Sequence, residues 1–241
     1  LQWTSSGGGT FDDATALNPT YTPGAAAIAA GFVDLQLTSV AHATCSDASD
    51  VIRININRQA TSVAGVNDTV CQNNTIQLTT ASPANYASVL WTHNGSGSLS
   101  GETTLTPVYT PGTGETGTVT VVLTAVGLPQ CIDATDQLLL TVNEAVVVNA
   151  GVTATICEGS SLTLSGSAAS GYAGLLWSSA GDGSFDDASD LHPVYTPGAN
   201  DILTGSVNLT LTGIANPACN DESSVVRLDI TRQVTVDAGS N

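Results

Sequence analysis

The sequence contains no lysine, and its four basic residues (Arg53, Arg58, Arg227, Arg232) face 21 acidic ones, a net charge of −17 over 241 residues. Such a chain has nothing to neutralise phosphates or release counterions, which excludes nucleic-acid binding and polybasic attachment to an anionic membrane. Without lysine, Lys–Asn and Lys–Asp isopeptide cross-links are chemically impossible. Charged residues are 10% of the chain and aromatic residues 5%, so few long side chains remain to build long helices, and several small cores are expected rather than one large one. No apolar run reaches the ~20 residues of a membrane-spanning helix, which argues against membrane insertion. The opening Leu1-Gln2-Trp3 lacks the basic-then-apolar pattern of a signal peptide. A soluble mature segment, cut from a longer protein, is expected.

What the sequence has in abundance is repetition. Tyr21-Thr-Pro-Gly24 recurs as Tyr109-Thr-Pro-Gly112 and Tyr195-Thr-Pro-Gly198, 88 and 86 residues apart. Trp3, Trp91 and Trp177 keep nearly the same spacing, as do Cys45, Cys131 and Cys219, then Cys71 and Cys157, then Ala64-Gly65, Ala150-Gly151 and Ala238-Gly239. A period of about 87 residues is a whole small domain, not a solenoid turn. Three domains are expected: a partial copy at 1–65 without its N-terminal strands, and full copies at 66–151 and 152–239. Short linkers around Ala-Gly should join them, with Ser240-Asn241 opening a fourth.

Within each copy the apolar residues alternate, as half-buried strands require. Val33, Leu35 and Leu37 share one face, matched by Val119, Val121 and Leu123 and by Val207, Leu209 and Leu211. A second strand points Ile52, Ile54 and Ile56 inward, with counterparts Leu138, Leu140, Val142 and Val226, Leu228, Ile230. Helical periodicity is confined to Ala25–Ala30. The expected class is all-β: tandem immunoglobulin-like antiparallel sandwiches in an extended array.

Cys71 and Cys131 are 60 residues apart, Cys157 and Cys219 62. This predicts one disulfide within each full copy, at one pole of the sandwich, because Cys131 and Cys219 lie past their strands beside Pro129 and Pro217. Cys45 is left without a partner. Paired cysteines with no metal-type spacing indicate an oxidising, extracellular compartment and a cell-surface location.

No catalytic set emerges. His42, His93 and His192 occupy three different repeat phases with no ligand partner at metal spacing, and neither a G-x-S-x-G elbow nor a phosphate loop is present. Calcium is the one cofactor the acidic residues suggest. Asp12-Asp13 recurs as Asp186-Asp187 but lapses to Ser100-Gly101 in the second copy; Asp47 and Asp50 recur as Asp133 and Asp136, then as Asp221 and Ser224. A site that lapses between copies reads as turn carboxylates, so no metal ligands are assigned. The arginines recur only in copies one and three and are expected to form local ion pairs near domain junctions.

After each Trp comes a glycine-rich turn closed by an apolar residue: Trp3 to Phe11, Trp91 to Leu99, Trp177 to Phe185. This resembles the W-x-x-G-x-G signature of PKD-like immunoglobulin-type domains. Together with Phe-Asp-Asp-Ala, Pro-x-Tyr-Thr-Pro-Gly, Val-Asn-Leu-Thr-Leu-Thr and the run from Asn149 to Gly159, essentially the whole chain resembles the repeat region of SprB-type giant adhesins of gliding bacteria. The resemblance implies a non-enzymatic stretch of a cell-surface filament for attachment and gliding motility, exported by the type IX system. Surface polysaccharide or a solid substratum would be its partner, with the gliding machinery acting through other parts of the chain. It brings no catalytic or ligand residues. Two alternatives stand beside it: a carbohydrate-binding repeat using loop Trp, Tyr and Asp residues, for which Trp91 and Trp177 should be exposed, and accessory domains of a secreted enzyme.

Overall fold

The computed structural model describes residues 1–41, 44–234 and 236; His42 and the Ala238-Gly239 marker therefore lie outside the described residues. The strands fall into three sets, and no sheet among the described residues is shared between sets. The first unit has β1 (Gln2–Ser5), β2 (Gly9–Phe11), β3 (Tyr21–Pro23), the short helix α1 (Ala25–Ala30), β4 (Phe32–Ser39) and β5 (Ala48–Asn55). The second has β6 (Asp68–Cys71), β7 (Ile76–Gln77), β8 (Tyr86–His93), β9 (Ser98–Ser100), β10 (Val108–Thr110), β11 (Gly117–Gly127) and β12 (Ala134–Asn143). The third begins with β13 (Val147–Asn149), β14 (Ala154–Cys157), β15 (Leu162–Thr163), β16 (Ala168–Ser170) and β17 (Tyr172–Ser179). It continues through β18 (Ser184–Phe185), β19 (Val194–Thr196), α2 (Ala199–Thr204), β20 (Ser206–Ala215) and β21 (Glu222–Thr231).

Each full unit is a two-layer sandwich. In the second, a four-stranded sheet β6-β12-β11-β8 faces a three-stranded sheet β7-β10-β9; the third repeats this as β14-β21-β20-β17 and β15-β19-β18. The long hairpin pairs antiparallel, while the outer strands β6 and β14 run parallel to β12 and β21. Alternation explains the core: Val119, Val121, Leu123 and Ala125 of β11 and Leu138, Leu140 and Val142 of β12 are at most 3% exposed. Trp91 and Trp177 are 2% exposed, each inside its own core cluster. The all-β tandem immunoglobulin-like fold is thus as the sequence predicts.

The first unit departs from expectation. Every residue of β5 is exposed; Ile52 is 55% and Ile54 39% exposed, not inward and covered. The strand forms, paired to β4, but the residues that cover its counterpart in the second unit, among them Val70, Ile76 and Leu78, have no equivalent among the described residues. Of the three isoleucines, Ile56 packs against the small cluster of Ala27, Val33 and Leu35, together with Trp3, Phe11 and Tyr21.

The Ala-Gly segments, expected as linkers, are packed parts of the following units. Ala64 lies in the second core and its amide donates to Asp136 Oδ2 at 2.8 Å; Ala150 lies in the third and its amide donates to Ser224 Oγ at 3.1 Å. Gly65 and Gly151 follow in left-handed backbone, φ 109° and 97°, which a glycine adopts without strain.

Candidate functional site

The Trp-glycine turns build one pole of each full sandwich around a buried tyrosine. Tyr109 and Tyr195 are fully buried. Tyr195 donates its hydroxyl to Asp201 Oδ2 at 2.6 Å, and that oxygen also accepts the amides of Gly183 and Gly198, both at 3.1 Å. In the second unit Tyr109 donates to Glu115 Oε2 at 2.8 Å, and the carboxylate takes the Gly112 and Ser96 amides at 2.8 and 2.6 Å. A Cβ on Gly181 or Gly95 would land on the Asp201 or Glu115 carboxylate, and one on Gly183 or Gly97 would strike the tyrosine hydroxyl oxygen, so the close approach itself requires both glycines of the motif. Burial first, and the carboxylate neighbour second, push the Tyr109 and Tyr195 hydroxyls up to about 12. Burial also pushes Glu115 up, but the Gly112 amide, the Tyr109 hydroxyl and the Ser96 amide outweigh it and hold its carboxyl below the usual value. With its acceptor positions filled by the protein's own donors, this carboxylate locks a turn. The lock was missed from sequence; its signal is an acidic residue three positions after the glycine of Tyr-Thr-Pro-Gly in copies two and three.

The other acidic residues also hold backbone. Asp12 accepts the Thr20 and Asp13 amides and Asp13 the Thr15 amide and hydroxyl, the bonds that lower both carboxyls. Asp186 and Asp187 repeat this with Val194 and Ser189. Among the described residues no group of three or more His, Cys, Asp or Glu is arranged to hold a metal ion. His192 Nδ1 lies 3.1 Å from Ser167 Oγ, but that buried hydroxyl is already against the Leu164 and Leu191 carbonyls, and Asp190 accepts the His192 backbone amide rather than orienting the ring. No base–nucleophile relay of the triad type results.

The arginines divide by role. Arg53 makes a bidentate pair with Asp34 at 2.7 and 2.8 Å, and Arg227 pairs with Asp229 at 2.7 Å, as expected. Arg58 and Arg232 instead donate to the terminal carbonyls of α1 (Ile28, Ala29) and α2 (Ile202, Leu203). Cations suit a helix C-terminus, and the second unit, which lacks the helix, lacks the arginine.

The cysteines overturn the predicted pairing. Cys71 is bonded to Cys219, with Cα atoms 4.9 Å apart and 148 residues between them in sequence, and Cys45, Cys131 and Cys157 form no disulfide among the described residues. The bond joins the second unit to the third. Cys131 and Cys219 sit in the turns of the long hairpins, and these turns lean on the preceding unit, away from the early cysteine of their own. The repeat period fits both patterns, so sequence spacing alone favoured the shorter loop.

No family model matches the chain, and no curated protein is detectably similar to it. Solved structures are similar in fold. A structure of three tandem immunoglobulin domains of titin, carrying glutamate-to-alanine mutations, aligns over 84% of this chain and 74% of its own with a TM-score of 0.50 and 14% identity. Immunoglobulin domains 1–4 of Sidekick-1 align over 95% and 67%, TM-score 0.44 and 13% identity. Extracellular domains 3–5 of Drosophila OTK align over 83% and 70%, TM-score 0.45 and 12% identity.

Proposed function

We propose that the chain is a load-bearing segment of an extracellular, adhesin-type stalk, in which tandem sandwiches hold an adhesive part of a larger protein away from a cell surface. The observation that carries this reading is the Cys71–Cys219 bond, a covalent weld between successive units. A ligand-binding module needs a rigid unit, whereas a stalk needs rigid junctions. Burial of Trp91 and Trp177 supports the stalk over the carbohydrate-binding alternative, since stacking on a sugar requires an exposed ring. The net charge of −17 keeps neighbouring filaments apart and discourages pairing of strand edges. A disulfide suits the cell exterior, and no helix among the described residues is long and apolar enough to cross a membrane.

The finer assignment rests on the repeat motifs: a gliding adhesin of the SprB type, exported by the type IX system and moved by machinery acting on other parts of the chain. Its partner would be surface polysaccharide or a solid substratum. The test is to present the isolated chain to glycan arrays and to glass while following tryptophan fluorescence. The stalk reading expects no saturable binding and no fluorescence change. Saturable binding with quenched tryptophan would replace it with the carbohydrate-binding reading.

A further inference from the structure

The bond between Cys71 and Cys219 has two halves, and each half recurs at a cysteine that makes no disulfide. The first half is the end of an outer strand. Cys71 closes β6 in parallel register with Asn143 of β12; the Gln72 amide donates to the Asn143 carbonyl and the Asn74 amide to the Cys71 carbonyl. Cys157 closes β14 in the same way against Thr231 of β21, with the Glu158 amide on the Thr231 carbonyl and the Ser160 amide on the Cys157 carbonyl. Cys157 is exposed.

The second half is the hairpin turn of the succeeding unit. In the turn ending at Cys219, Ala218 has φ 66° and Asp221 accepts the Ala215 amide at 2.7 Å. This turn docks on the end of β12: Asn143 Nδ2 donates to the Pro217 carbonyl at 2.9 Å, and Cys219 Sγ lies 3.5 Å from the Glu144 carbonyl. One repeat earlier, Gln130 has φ 71° and Asp133 accepts the Gly127 amide at 2.8 Å. Asn57 Nδ2 donates to the Pro129 carbonyl at 2.9 Å, and Cys131 Sγ lies 3.4 Å from the Arg58 carbonyl. Left-handed backbone is uncommon for residues with a Cβ; its recurrence one residue before each cysteine aims both sulfurs at the same spot on the preceding unit. Cys131 thus stands docked where Cys219 is bonded, beside the end of β5, and the strand that would carry its partner is not among the 241 residues. Cys45 occupies the corresponding turn of the first unit, where Asp47 accepts the Ala41 amide at 2.9 Å.

We propose that the early cysteine of each repeat bonds the late cysteine of the next, so that disulfides staple every junction of the array. Cys157 takes the late cysteine of a following repeat of this kind in the same polypeptide. Cys131 takes the early cysteine of the strand that completes the first unit, and Cys45 that of the unit before it. Each bond forms as two thiols lose two protons and two electrons to the disulfide of a thiol–disulfide oxidoreductase, which is reduced to its dithiol. This assignment stands on junction geometry and holds whatever the array projects.

The test has two arms, both read by alkylation under denaturing, non-reducing conditions and peptide mapping. In the 241-residue chain, Cys45, Cys131 and Cys157 should be alkylated and Cys71 recovered linked to Cys219. Linkage of Cys71 to Cys131 and of Cys157 to Cys219, with Cys45 alone alkylated, would overturn the proposal. In a chain of residues 1–239 followed by a second copy of residues 152–239 that carries Cys157→Ser, the remaining Cys157 should leave the alkylated pool and appear linked to the late cysteine of the added copy. An alkylated Cys157 in a sample whose Cys71–Cys219 pair has formed and whose added copy protects its strand amides from hydrogen exchange would equally overturn it, because the pair reports oxidation and the protection reports folding of the added copy.

Discussion

The first and third units share a fold plan down to the helix, the Phe-Asp-Asp-Ala turn and the helix-capping arginine, yet they bury the same strand differently. Val226, Leu228 and Ile230 of β21 are at most 5% exposed, while Ile52 and Ile54, their counterparts on β5, are 55% and 39% exposed. Trp177 is sealed at 2% exposure and Trp3 is half-buried. Alternation dictates which residues share a face. Burial of that face depends on the opposing strands, which for the third unit are among the 241 residues and for the first are not. The first unit also carries Ala27 where the third has Asp201, so its Tyr21 hydroxyl donates to the Gly8 carbonyl where Tyr195 donates to a carboxylate.

The largest expected effect follows from this contrast. Trp177→Ala should destabilise the third unit by about 3 to 5 kcal/mol, and Trp3→Ala should cost the first unit less than half as much, since less surface is buried there. Hydrogen exchange of the β17, β20 and β21 amides against those of β1, β4 and β5 measures both, and equal losses would erase the distinction. Asp201→Ala should cost about 2 to 3 kcal/mol, because it installs the residue of the first unit but strands the Gly183 and Gly198 amides and the Tyr195 hydroxyl. A loss confined to that pole is expected, read from the exchange of the α2 and β18 amides.

Alkaline titration, with free thiols blocked, comes next in size. Tyr109 and Tyr195 hold their protons to about 12 in the folded units, against 10.0 for a free tyrosine. The unfolded chain therefore loses these protons first, and stability should be intact below pH 10 and fall as pH rises from about 10 to about 12. Glu115 acts in the opposite window: its lowered pKa contributes stability to the second unit that is lost as pH falls below 4.5. Denaturant midpoints across both ranges, with phenolate absorbance, check the signs. The smallest effect separates the two full units. Trp91 Nε1 donates to the Thr104 carbonyl at 3.0 Å, whereas buried Trp177 Nε1 has no partner among the described residues. Trp91→Phe should therefore cost about 1 kcal/mol more than Trp177→Phe.

Most of the fold was legible because repetition exposes it. The strand faces, the buried tryptophans and the helix at Ala25–Ala30 follow from local pattern. Helix α2 was missed because Ala-Asn-Asp-Ile-Leu-Thr has little periodicity in six residues; its recognisable end is Gly205, at φ 75°. The Ala-Gly segments read as linkers because small residues suit loops, but Ala64 and Ala150 are small in order to fit under the following sheet. The disulfide was not legible because loop length along the chain says nothing about which pole of a sandwich a turn reaches. That depends on the docking of Pro217 against Asn143, a contact between units.

Pulling the oxidised 241-residue chain by its ends tests the stapled junction most directly. Force should enter through β6 and β21 and pass from Cys71 to Cys219, leaving the chain between the two sulfurs unloaded, and reduction should then release about 500 Å of hidden contour, the 148 residues between the sulfurs at ~3.3 to 3.6 Å each. Two separate releases of about 210 Å on reduction, one per unit, or no release at all, would contradict the account.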